Sequence, residues 1–115
     1  MQQSRSSATE QASTRSKADR RADRALVGTY HEARLADLLE QVREGFARYD
    51  AGELDPFELD DLIHRYKRAT RELWKFCGNL TGSGTHLVAR TIEEWQASGE
   101  VIDWWERGNP PRNRE

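Results

Sequence analysis

The sequence predicts an all-α fold: an antiparallel helical hairpin, a shorter third helix and a Trp-rich C-terminal turn or short helix, with disordered termini. Three observations carry this expectation. Apolar residues recur at spacings of three and four through residues 27–49 and again through 59–77, the period of amphipathic helices. Only a short, glycine-bearing stretch with helix-start chemistry separates those two runs. Residues 1–20 and 108–115 hold almost nothing to bury, so they cannot offset the entropy lost on ordering.

The first helix is expected to begin near Asp19 or Asp23 and to run to Tyr49. Its apolar face is Val27, Leu35, Leu38, Leu39, Val42, Phe46 and Tyr49, with His31 on the same side. Gly52 follows as a left-handed terminator. Asp55 then caps a second helix, with Pro56 where its missing N–H costs nothing and Glu58 placed to complete a capping box. The inner face of this helix is Leu59, Leu62, Ile63, Tyr66, Ala69, Leu73, Phe76 and Cys77, and Gly78-Asn79 stops it. The short link forces an antiparallel pair. Tyr49 then lies near Leu59, Val42 near Tyr66, Leu35 near Leu73, and His31 near Phe76 and Cys77. After a loop at 80–84, a third helix is expected over 85–97, with Val88, Ile92 and Trp95 on one stripe. Residues 100–107 suit a short fourth helix or turn. The domain reading is a basic tail at 1–20, a helical domain at 21–107 and a C-terminal tail at 108–115.

Charge bounds the function classes. The 115 residues carry a net charge of −2, but residues 25–107 hold ten basic and sixteen acidic side chains. An acidic body disfavours nucleic acid as a partner. No apolar run approaches a membrane span, and nothing near the N-terminus has the apolar segment of a secretory signal, so a cytoplasmic location is expected. A single cysteine precludes an internal disulfide. The basic leader could touch an anionic surface, but a solvated tail is the plainer reading.

Candidate chemistry is sparse. The expected register sets His31 opposite Cys77, with His86 a loop away; imidazole and thiolate are ligand types that zinc prefers and that a thiol nucleophile needs. The set is one ligand short, and Cys77 at a helix C-terminus is poorly placed to ionise, so burial as a small hydrophobe is the preferred reading. His64, Lys67, Arg68, Arg71 and Lys75 form a basic stripe on the outer face of the second helix, read here as dipole compensation rather than a phosphate strip. Asp61-x-x-His64 has the spacing of di-iron ligands, but both residues point away from the apolar face. Trp74, Trp95, Trp104 and Trp105 are read as lids on a small core before they are read as interface anchors. No cofactor is implied. The third helix is too short to cover the whole hairpin, so Phe46, Tyr49, Phe57, Leu59 and Leu62 are expected to form a bare patch at its turn end. Such a patch usually marks a homodimer contact or a helical protein partner.

Two resemblances follow from particular stretches. HRYKRATRELWKFC, residues 64–77, looks like small uncharacterised helical proteins of GC-rich Gram-positive bacteria, which imply no activity. A long helix, then Gly52-Glu53-Leu54, then a second amphipathic helix is similar to the small subunit of exonuclease VII over about 40 residues. That likeness implies an accessory subunit of a nucleic-acid enzyme; the glycine of that family's second helix is missing here. The reading is a small non-catalytic interaction or adaptor protein, with the accessory subunit and a metal or thiol site at His31, Cys77 and His86 as alternatives.

Overall fold

The structure is a computed structural model and describes residues 16–78 and 83–110. The expected tail at 1–15, most of the loop at 80–84 and the end at 111–115 lie outside the described residues. Among those described there are four helices and no strand: α1 (Lys17–Asp50), α2 (Pro56–Cys77), α3 (Ser83–Ser98) and α4 (Trp104–Arg107). The fold is all-α, as the periodicity requires.

Each helix end has a local cause. Ser16 caps α1, its Oγ accepting from the Asp19 amide at 3.0 Å. The helix therefore starts before Asp19 and before the expected domain boundary at 21, because the serine satisfies a first-turn amide ahead of the first apolar residue. At the other end Gly52 takes φ +80°. Its N–H donates to the Tyr49 carbonyl at 3.0 Å and the Glu53 N–H donates to the Arg48 carbonyl at 2.8 Å, the bond pair of a Schellman terminator. Asp55 and Glu58 close a capping box, each side chain accepting from the other's amide at 2.7 and 2.8 Å. α3 starts at Ser83, two residues ahead of Thr85. It ends at Gly99, with φ +78° and the Glu100 N–H donating back to Trp95.

α1 and α2 form the antiparallel hairpin. Its register is read from Tyr30 edge-on to Phe76 at 6.1 Å and from His31 edge-on to Trp74 at 4.9 Å. His31 thus packs on Trp74, a neighbour that the expected register did not give it. The core is Val27, Leu38, Ala69, Leu73, Cys77, Val88, Ala89, Ile92 and Trp104. Burying each large member contributes about 1.5–3 kcal/mol.

α3 packs on the N-terminal half of α1. Part of that junction is polar: the buried carboxylate of Asp23 receives Arg90 at 3.1 Å and His86 Nδ1 at 3.4 Å. The C-terminal segment then runs back as a strap over the same side of the hairpin. Trp104 is buried beside Phe76 at 5.7 Å and donates Nε1–H to the Tyr30 hydroxyl at 2.8 Å. Arg65 donates to the Trp105 carbonyl at 3.0 Å and lies 4.5 Å over its ring. Arg68 donates to the Gly108 carbonyl at 2.7 Å. Gly108 is itself buried, and a Cβ there would stand 2.8 Å from that of Ala69. The expected boundary at 107 is thus corrected: the strap reaches Gly108, whose missing side chain lets the chain lie against α2.

Candidate functional site

The hairpin has two faces, and the described residues cover only one. On α1 the buried residues are Asp23, Val27, Leu38 and Gly45, with Tyr30, Arg34 and Gln41 half-buried among them. This is the direction from which α2, α3 and the strap approach. At about 100° per residue, Leu35, Leu39, Val42, Phe46 and Tyr49 lie roughly a quarter-turn further round. Leu39, Phe46 and Tyr49 are 48%, 46% and 39% exposed, and Leu35 and Val42 are half-buried.

The sequence reading aimed this stripe at α2, and the structure corrects it. The physical cause is Gly45. Having no side chain, it lets Leu62 of α2 sit against the α1 backbone, where a Cβ would stand 2.8 Å from Leu62 Cδ1. The covered side of α1 thus mixes Val27, Leu38 and Tyr30 with small and polar positions, and Leu39, Phe46 and Tyr49 are left on the flank. α2 adds to the same side: Trp74 is 58% exposed, and Ile63 and Thr70 are half-buried. Gly28, His31, Glu32, Leu35 and Trp74 line a shallow recess of about 240 Å³ there. His31 Nε2 finds no hydrogen-bond partner among the described residues, and burial pushes the imidazole below its ordinary value, favouring the neutral ring.

The expected patch therefore changes shape. Phe46 and Tyr49 are on it, and Phe57 is exposed at the first turn of α2. Leu59 is buried and Leu62 is half-buried over Gly45, so neither belongs to a bare surface. The open surface runs along α1 instead of gathering at the turn.

His31, Cys77 and His86 do not converge. His31 packs on Trp74, and His86 turns to Asp23. Cys77 is buried, and desolvation pushes its thiol up to about 11, so it stays protonated and unreactive near neutral pH. Among the described residues, the set whose ligand atoms lie within 4.8 Å of one another is Asp60, Asp61 and His64. All three are exposed, and His64 Nδ1 already lies 2.9 Å from the Asp60 carbonyl of its own helix.

The basic stripe is partly structural. Arg68 holds the strap, Lys75 pairs with Glu72 at 3.2 Å and His64 with Asp60 at 3.4 Å, while Lys67 and Arg71 are exposed. Arg65 reaches Glu106 of the strap at 3.4 Å instead of pairing with Asp61 as an ordinary surface pair. A groove of about 750 Å³ between α1, α2 and the strap mixes Arg48, Glu58, Asp61, Arg65 and Arg68, with no convergent set of donors. The Asp23–His86–Arg90 junction was not legible beforehand, since its members lie more than sixty residues apart.

No helix among the described residues is long and apolar enough to cross a membrane. No family model matches the chain, and no curated protein or solved structure matches it.

Proposed function

We propose that the chain is a non-catalytic helical interaction protein, an adaptor that docks a helical partner on the open face of its hairpin. The observation that carries this reading is the exposed stripe Leu35, Leu39, Val42, Phe46 and Tyr49. Its alternating steps of four and three form the seam by which one helix receives another. A contiguous apolar flank on a chain this rich in charge marks an interaction site. The groups that invited a catalytic reading support the same view, since Cys77 is packed away and His86 is tied to Asp23. A cytoplasmic setting belongs to this reading. The accessory-subunit form of it differs only in what the face receives, a catalytic subunit in place of another adaptor client.

The test is affinity capture from the native cell with three baits: the native chain, Phe46→Glu, and Glu94→Lys on the exposed side of α3. Partners held by the native and Glu94→Lys baits but lost from Phe46→Glu are the expected result. The same partners on all three baits would overturn the reading, and their identity separates adaptor from accessory subunit.

A further inference from the structure

We infer that the helix received by the open face is acidic, and that it seats one bulky apolar side chain in the recess beside Trp74. This rests on the interaction reading above and states the chemistry of the partner.

The recess is shaped as an anchor point. Gly28, His31, Glu32, Leu35 and Trp74 line about 240 Å³, room for a single large side chain. Its floor depends on Gly28. A Cβ there would meet nothing within 4 Å, so no neighbour requires the glycine, unlike Gly45 under Leu62 and Gly108 on Ala69. A glycine inside a helix costs stability relative to alanine. What its missing side chain supplies is the recess itself. Trp74 forms a wall, largely exposed and edge-on to the His31 ring at 4.9 Å. A large apolar residue seated in such a pocket is the usual anchor of a docked helix.

The charge around the recess gives the rest of the partner. On α1, Arg24 stands one turn before Gly28 and Arg21 two turns before it, about 40° and 20° round the helix from it. On α2, Arg71 and Lys67 stand one and two turns before Trp74, about 60° and 20° round from it. All four are exposed, and none makes an ion pair among the described residues. The carboxylate on this half of the face is Glu32, at the recess edge. Asp60, 3.4 Å from His64, and Asp50 lie toward the other end. This excess of cations runs against the body, where residues 25–107 hold sixteen acidic and ten basic side chains. A helix with Glu or Asp within two turns of its anchor complements the four cations, and a basic helix meets like charge. Charges placed in this way choose the partner more than they set affinity.

The experiment selects the partner's chemistry without assuming it. A display library of alanine-rich helices, randomised on one face over Glu, Lys, Ala, Leu and Phe, is panned on the full chain. The enriched sequences carry a Leu or Phe with Glu, not Lys, in the flanking turns. A fluorescein-labelled peptide of the enriched sequence is then titrated by anisotropy. Gly28→Leu fills the recess and weakens binding by about tenfold or more, while circular dichroism is unchanged and the thermal midpoint does not fall. Lys67→Glu combined with Arg71→Glu weakens it by about tenfold or more, and exchanging the peptide's Glu for Lys restores binding to that variant.

An empty selection, enrichment of basic or uncharged helices, or a titration that Gly28→Leu leaves unchanged overturns the inference. So does sedimentation in which the native chain is a dimer that Phe46→Glu dissociates, since the face then belongs to a second copy. If any of these holds while Phe46→Glu still loses captured partners, the acidic-helix inference fails and the docking reading stands. If neither Gly28→Leu nor Phe46→Glu changes peptide binding or capture, both fail.

Discussion

The two faces of the hairpin are built from similar residues and do opposite things. On the covered face, Tyr30, Phe76, Trp95 and Trp104 stack under α3 and the strap, with Phe76 and Trp95 centroids 5.1 Å apart. On the open face, Phe46, Tyr49 and Trp74 are as large and as apolar, yet none is buried by the chain. What separates them is what returns across each face. Arg65, Arg68 and the Tyr30 hydroxyl bond the strap to one side, and no element among those described crosses the other. Stability is therefore concentrated on one face, and the other stays open among the described residues.

Substitutions can break that comparison at several strengths. The largest effect belongs to Leu73→Ala, which empties a fully buried site between the helices. It should cost about 2–5 kcal/mol in urea unfolding. Next comes a contrast between two glycines. Gly108→Ala forces a Cβ against the Arg65 carbonyl at 2.7 Å and against the α2 backbone, so a loss of about 1–3 kcal/mol is expected. Gly45→Ala meets only the mobile tip of Leu62 and improves helix propensity, so its net change should stay within about 1 kcal/mol. Equal losses at the two sites would mean that the hairpin contact is as rigid as the strap.

On the open face, Phe46→Glu should leave the unfolding free energy of the monomer within about 0.5 kcal/mol, measured at a concentration too low for association. A larger loss would show that this face also holds the fold.

The smallest effect is a pH dependence at His31. Desolvation lowers its folded-state value below 6.5, so the unfolded chain takes up a proton at a pH where the folded chain does not. That contribution to stability is present above about 6.5 and is lost as pH falls through the depressed folded value. The native protein should therefore lose more stability between pH 7 and pH 5 than His31→Gln does, as urea melts at the two pH values will show.

Much of this was legible in the sequence. Asp55-Pro56-Phe57-Glu58 fixed the start of α2, and Gly52 fixed the end of α1, because capping is settled within a few residues. The inner face of α2 was read correctly, since Ala69, Leu73 and Cys77 face a neighbour along their whole length. The face of α1 was read in part: Val27 and Leu38 are buried as expected, while Leu39, Phe46 and Tyr49 stay exposed. Periodicity reports where apolar residues lie on a helix, not which side a neighbour chooses. Here the covered side also includes Gly45 against Leu62 of α2 and Asp23 against His86 and Arg90 of α3, and neither carries an apolar signal. The strap was hidden for a related reason: its anchors, Arg65 and Arg68, read as solvated charges until Trp105 and Gly108 are brought over them. The candidate site was half visible. Phe46 and Tyr49 are exposed as expected of that patch, but Leu59 and Leu62 were grouped with them by position along the chain, and Leu59 is buried while Leu62 is half-buried over Gly45.

The bond from Trp104 to Tyr30 spans 74 residues. A ribosome makes Tyr30 well before Trp104. Until the strap is made, the side of the hairpin that carries Tyr30 and Phe76 lacks part of its cover. α3 covers part of that side first, and residues 104–108 complete the cover. The order of synthesis thus makes the strap the step that completes the cover of one face.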